Sequence, residues 1–304
     1  MKNFLLKFFF STFLLFLFFK LNNINIEIVK EIIRFDIVLT TVSLLFLSFS
    51  VFLLFIRNSI LTNFLVKKNF YKRHFFTYLK SLVLSNLGFA GAGEIYRIFY
   101  RKRVNLSLIH VSNVIFMERV SAFLSIFILL FIFSRYNFIY LFLFIFFFYF
   151  FFINKNFFFL IFKSPYINIF NNRFSLFLLT RGIIAKKLLI KIFIISLIIQ
   201  LLSILFSYSF FAFFSIDIAF YEFAFIVLLV NLFLALPSFT ISGIGLREIL
   251  FLYLMPISID KNIVSQSSLY QSIFLILFWI VIFLVILTLD IKYPTKNQKK
   301  IYSK

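Results

Sequence analysis

The 304-residue chain has no cysteine. Disulfides and thiolate metal sites are thereby excluded. Only two histidines are present, His74 and His110, and nothing near either supplies the other ligands of a metal centre. No cofactor is expected. Acidic side chains are few, 10 Asp and Glu against 31 Lys and Arg. The first apolar run ends in Phe19-Lys20-Leu21-Asn22, which lacks the small residues of a signal-peptide cleavage site. No linker or composition shift divides the chain, and no polar stretch is long enough for a soluble catalytic module. Proline and glycine are scarce, at 4 and 6 residues, so a segment that concentrates them stands out.

What is present is apolar. Hydrophobic residues make up 63% of the chain, and its mean hydropathy is +1.08. Several runs approach the ~20 apolar residues that span a bilayer. The expected class is an all-α polytopic membrane protein. The basic excess would suggest nucleic acid in a soluble protein. Here the basic residues cluster between apolar runs, as cytoplasmic loops do. The expected partners are therefore membrane lipids, through their anionic headgroups, and not nucleic acid.

In chain order, residues 4–19 read as an uncleaved first helix with a cytoplasmic N-terminus. The loop that follows is charge-balanced, which suits the outer side. Residues 37–56 form the second span. Arg57, Lys67, Lys68, Lys72, Arg73 and Lys80 then read as a cytoplasmic loop. Residues 75–100 are flanked by basic clusters on both sides, so a re-entrant hairpin entering from inside is expected. Residues 107–133 and 138–153 are further spans around a turn at 134–137. Residues 174–191 mix apolar and basic side chains, as an amphipathic helix on the inner leaflet does. Residues 192–214 span outward to an acidic turn with Asp217 and Glu222. A polar loop is expected over 255–266, then a last span over 269–289. Lys292, Lys296, Lys299, Lys300 and Lys304 place the C-terminus inside. The count is about six full spans plus two broken units. The expected division is one transmembrane domain, 1–290, and a basic cytoplasmic tail, 291–304.

One stretch organises this plan: Leu236-Pro237-Ser238-Phe239-Thr240-Ile241-Ser242-Gly243-Ile244-Gly245-Leu246-Arg247-Glu248. Apolar helices are expected on both sides, over 220–236 and 249–255. Pro237 removes a backbone donor and kinks or ends a helix. Gly243 and Gly245 permit backbone angles that other residues resist. Freed backbone at membrane depth needs a protein environment or a wet cavity. Arg247 and Glu248 point the same way, because intramembrane charges mark pathways and sites. A polar surface loop is the plainer alternative.

An earlier stretch echoes this one. It reads Asn86-Leu87, Gly91-Ala92-Gly93-Glu94, then Arg97; the later one reads Asn231-Leu232, Gly243-Ile244-Gly245, then Arg247-Glu248. Opposed broken segments of this kind are the signature of inverted-repeat transporters. The spacings differ, so the echo is one of motif and not an alignable repeat.

Six charges lie in or near apolar runs: Glu94, Arg97, Glu118, Arg119, Arg247 and Glu248. Unpaired at membrane depth they would cost on the order of 15–20 kcal/mol in total, more than a fold's usual net stability. They must be paired, hydrated or near the surface. Glu94 and Arg97, three apart, can meet on one helix face. Glu118 and Arg119 point about 100° apart and need partners on other segments. Arginine suits a lipid phosphate, since its planar fork matches phosphate oxygens. Structural ion pairing accounts for the same residues without a ligand. Asn86, Asn113 and Asn231 read equally as interhelical glue or as supporting polar ligands.

At these residues the chain resembles the lysylphosphatidylglycerol synthase transmembrane-region family, or flippase-like domain family. The resemblance rests on Gly91-Ala92-Gly93-Glu94 with Arg97, on Glu118-Arg119, and on Pro237 followed by Ser242-Gly243-Ile244-Gly245-Leu246-Arg247-Glu248. Phe89-Ala90 stands where the resemblance implies a proline, and Ala122 where it implies an acid. The resemblance implies a multi-pass protein of a prokaryotic cytoplasmic membrane that moves a lipid or lipid-linked headgroup between leaflets. Glu94, Arg97, Glu118, Arg119, Arg247 and Glu248 would contact substrate, and Gly91, Gly93, Pro237, Ser242, Gly243 and Gly245 would form the breaks. The rival readings are a membrane-embedded enzyme of lipid or envelope glycolipid synthesis, for which no acid/base or metal constellation of standard spacing appears, and a partner of such an enzyme.

Overall fold

The computed structural model describes residues 37–66, 71–87, 91–100, 108–135, 137–148, 182–235 and 243–292. Among these there is helix and no strand. The elements are α1 (Ile37–Val66), α2 (Tyr71–Leu87), α3 (Ala92–Tyr100), α4 (Leu108–Phe133), α5 (Phe138–Phe148), α6 (Gly182–Phe213), α7 (Phe220–Ala235), α8 (Leu246–Leu254) and α9 (Lys261–Lys292). Four helices are long and apolar enough to cross a membrane, over Thr40–Phe64, Val114–Phe133, Leu188–Phe213 and Lys261–Thr288. The expected six full spans are not reached among the described residues. Residues 4–19, residues 293–304 of the tail and the whole 149–181 stretch lie outside them. α5, with 11 residues, and α7, with 16, are shorter than a full crossing needs.

α6 is the central helix, packed on α1, α4, α7 and α9. Its inward face carries Ile204, Phe206, Phe210 and Phe211, all buried. Ring centroids lie 4.9 Å apart for Phe211 and Phe223 of α7, and 4.8 Å for Phe211 and Phe251 of α8. Each such pair adds about 0.5–1.5 kcal/mol beyond area burial. The opposite face of α6 leaves Ile190, Ile194, Ile198 and Leu201 exposed. Apolar stripes of that kind suit a lipid environment. Hydroxyls bind α6 to α1, with Ser43 and Ser209 sharing a hydrogen bond of 2.7 Å, as small polar residues do between membrane helices.

Helix ends follow local chemistry. α6 closes with Ser215 at φ 54°, while Ile216 N–H donates to Phe211 and Ser215 N–H to Ala212. That is a Schellman pattern with serine in the place glycine usually takes. α4 also ends beside a left-handed residue, Arg135, which stacks on Tyr221 and hydrogen-bonds its hydroxyl.

Three sequence boundaries are corrected. α1 continues ten residues past Ile56, so Arg57 belongs to a helix and not to a loop. The described part of the expected amphipathic helix is the start of α6, continuous with the span. The polar loop after Met255 closes at Asp260, and Lys261 to Gln266 already belong to α9. In each case a helix carried polar residues farther than the charge pattern suggested.

Candidate functional site

The first broken unit is a helical hairpin. Gly91 has φ 80°, and its carbonyl accepts from Ile95 N–H at 2.8 Å, which starts α3. α3 then folds back along α2. A Cβ on Gly93 would stand 2.0 Å from the Ser81 carbonyl oxygen and 2.1 Å from Ser85 Oγ. Gly93 therefore serves close packing and not the turn itself, a correction to its expected role as a break.

The hairpin presents its charges to α4. Arg97 Nη1 donates to Glu118 Oε2 at 2.6 Å, and Arg119 donates to Glu94 Oε1 at 3.0 Å from Nε and 2.7 Å from Nη2. Glu94 and Arg97 thus do not pair along α3. Each crosses to α4, and Glu118 and Arg119 find partners on another segment as expected. The two bridges differ in environment. Glu118 is 5% exposed, whereas the Arg119 side chain is 53% exposed. Asn58 Nδ2 of α1 donates to the other oxygen of Glu118 at 2.8 Å. The Arg97 guanidinium lies 5.5 Å from the Tyr78 ring centre, within cation–π range.

Arg57 was missed as a site residue. It is 6% exposed, and its Nη1 donates to Ser196 Oγ of α6 at 3.0 Å; Ser196 Oγ in turn donates to Ser121 Oγ of α4 at 3.1 Å. The sequence did contain a signal: Arg57 and Asn58 directly continue an apolar run with no proline or glycine between. Two guanidiniums and one carboxylate therefore share a buried cluster drawn from α1, α2, α3, α4 and α6.

The second broken unit builds a different site. Gly243 and Gly245 have φ 80° and 82°, in the region that favours glycine. A Cβ on Gly243 would stand 2.8 Å from Leu234 Cδ2. Gly245 is the N-cap of α8, and Glu248, 0% exposed, accepts from its N–H at 2.5 Å. A carboxylate three residues into a helix satisfies an orphan donor and complements the helix dipole. Glu248 is thus fixed as a cap. Pro237 and Ser242 lie outside the described residues.

The units show the same local design. Gly91 and Gly245 each precede a nine-residue helix with φ near 80°, and each helix has glutamate at its third position, Glu94 or Glu248. The structural register of the echo therefore aligns Gly91 with Gly245, not with Gly243.

Arg247 lines a partly open cavity of about 210 Å³. Six helices contribute to it: Ser50 of α1, Asn86 of α2, Ser203 and Ser207 of α6, Asn231 of α7, Arg247 of α8, and Gln271 and Trp279 of α9 lie among its lining residues. The rest of the wall is apolar, including Phe46, Leu82, Phe206 and Leu275. Arg247 Nη1 donates to Ser272 at 3.4 Å. Asn231 Nδ2 donates to Ser203 Oγ at 3.0 Å, and Gln271 Nε2 to Ser207 Oγ at 2.8 Å. No carboxylate or histidine is among the described lining residues. The cavity is therefore cationic and amide-rich with apolar walls.

The residues singled out from sequence thus divide between two places. Asn86, Asn231 and Arg247 come together in the cavity. Arg97 and Glu118 meet in the buried cluster, Glu94 and Arg119 at its exposed edge. The side chains of His74, His110 and Asn113 lie outside the described residues. Among the described residues no group of three or more His, Asp or Glu could hold a metal ion. No family model, no curated protein and no solved structure matches the chain.

Proposed function

We propose that this chain is a multi-pass membrane protein that moves an anionic lipid or lipid-linked headgroup between leaflets, with Arg247 gripping the head. One observation carries the reading: Arg247 lines a cavity bounded by amides, hydroxyls and apolar walls, with no carboxylate among its described lining residues. A guanidinium in such a place suits a phosphate or carboxylate oxygen. The volume supports a head and not a whole lipid. Drug-sized ligands occupy cavities of roughly 300–1,000 Å³, and about 210 Å³ is smaller. The acyl chains would remain in the bilayer.

The reading agrees with what the resemblance to the flippase-like domain family implies, and membership of that family is part of the proposal. So are residence in the cytoplasmic membrane of a prokaryote, cytoplasmic termini and about six full crossings with two broken units. An enzyme of lipid or glycolipid synthesis needs an acid or base facing the substrate, and the described lining residues include no carboxylate or histidine, which favours the carrier.

The test is reconstitution of the full chain in vesicles with chain-labelled phosphatidylglycerol. Label on the inner leaflet should become accessible to an external quencher faster than in protein-free vesicles, and Arg247→Ala should remove that gain. Equal rates for wild type, Arg247→Ala and Arg247→Lys would sink the reading.

A further inference from the structure

The buried cluster around Arg57 holds more positive charge than its own carboxylate balances. Glu118 Oε1 accepts from Asn58, and Oε2 accepts from Arg97. Arg57 makes its hydrogen bond to Ser196, a neutral hydroxyl, and to no carboxylate among the described residues. The Nε groups of Arg57 and Arg97 are both buried with no hydrogen-bond partner. A buried donor left unsatisfied is costly, more so on a charged group. Arg57 also lies within the apolar span Thr40–Phe64, where a lone cation is disfavoured.

The cluster is linked to the cavity along two helices. Ser50 lines the cavity, and Arg57 lies seven residues on along α1. On α6, Ser203 lines the cavity, and Ser196 lies seven residues back. Seven residues are about two turns, or ~10 Å, and return to nearly the same face. Ser196, Gln200, Ser203 and Ser207 follow the 4-3-4 spacing of one helix face. Four hydrogen bonds decorate this face: Arg57 donates to Ser196, Asn231 to Gln200 and to Ser203, and Gln271 to Ser207.

We infer that Arg57 and Arg97 form a second oxyanion site, about two helical turns from the Arg247 cavity, joined to it by the polar face of α6. Its ligand is a phosphate-class oxyanion, whether on a lipid headgroup or free. The oxyanion supplies the negative charge that Glu118 alone does not, and accepts from the orphan Nε donors. The site deepens the carrier reading, and rests on it for the lipid class alone. A headgroup leaving Arg247 then has a second cation to reach, with hydroxyls and an amide between.

The experiment is native mass spectrometry of the full chain released from detergent, with dioctanoyl phosphatidic acid as probe and sodium phosphate in a separate arm. Wild type should hold two probe molecules per chain. Ser196→Asp places a carboxylate beside Arg57 and should reduce the count to one while raising the thermal midpoint, because the internal anion replaces the bound one. Arg57→Met should also reduce the count to one. Arg247→Ala should remove the other molecule. A count of one in wild type that is lost in Arg247→Ala overturns the second site and leaves the cavity reading standing. An unchanged count in Ser196→Asp also overturns it. Loss in Ser196→Asp with none in Arg247→Ala supports the second site and sinks the cavity reading. Sodium phosphate replacing the lipid at the Ser196-sensitive position identifies a free-ion site; binding of the lipid alone identifies a headgroup site. Binding of neither probe there overturns the inference.

Discussion

Arg97 of α3 and Glu118 of α4 meet at 2.6 Å, although a closer glutamate in sequence, Glu94, lies one helical turn from Arg97. The pairing crosses between helices, so each bridge ties the first hairpin to the long helix behind it. The buried bridge and its exposed neighbour should behave differently when cut.

Removing Glu118 leaves Arg57 and Arg97 buried without a carboxylate, whereas removing Arg97 leaves Glu118 beside Arg57. Glu118→Leu should therefore destabilise the protein by about 3–5 kcal/mol and Arg97→Met by less, and the double variant should lose less than the sum of the two. Glu94→Ala, at the exposed bridge, should cost about 0–1 kcal/mol. Thermal midpoints of the four proteins in one detergent check the ordering. Additive losses in the double variant would contradict coupling of Arg97 with Glu118.

The two glycines of the first hairpin should fail for different reasons. Gly91→Ala meets open space but must hold φ 80°, a strain of roughly 1–2 kcal/mol. Gly93→Ala strikes the Ser81 carbonyl, and its cost should exceed the ~1–3 kcal/mol of ordinary overpacking because backbone must move. Thermal unfolding should rank Gly93→Ala as the less stable variant. The reverse order would show that α3 does not lie against α2 at Ser81.

Arg247 and Glu248 are neighbours with separable roles. Glu248→Ala removes the cap on Gly245 and should lower stability by ~1 kcal/mol or more. Arg247→Ala should abolish lipid movement while the protein still folds and inserts, because a charge beside a helix break marks a site. Paired midpoint and vesicle measurements on both variants check this. A Glu248→Ala protein with wild-type stability would remove the cap assignment.

Trp279 is the single tryptophan of the chain and lines the cavity. Its emission should therefore shift when dioctanoyl phosphatidic acid binds beside Arg247, and shift less with the zwitterionic phosphatidylcholine. Arg247→Ala should flatten the response. A response untouched by that substitution would place the bound lipid elsewhere.

Much of this arrangement was legible from residue pattern. Glycine chemistry located both breaks, because Gly91, Gly243 and Gly245 hold angles other residues resist. The apolar runs located α4, α7 and the span of α6, because hydrophobic length is a local property. Partnership was not legible. That Arg97 reaches Glu118 depends on α3 folding back, and no spacing within α3 encodes it. Basic residues commonly end a span, so the charge pattern alone puts Arg57 in a loop. Burial beside Ser196 and Asn58 makes a charge compatible with the helix interior, and that is a tertiary fact. Glu248 looked like a ligand for the same reason; only the turn at Gly245 shows that its carboxylate closes a helix.

The small cavity has a consequence for selectivity. A space of about 210 Å³ encloses a head and leaves tails to the bilayer, so on the carrier reading the protein senses the charge on a lipid while its chains go unmeasured. Dioleoyl and dipalmitoyl lipids with one headgroup would be moved alike in bilayers of equal fluidity. A change in membrane fatty-acid composition would then leave the cargo unchanged, and a change in headgroup chemistry would not.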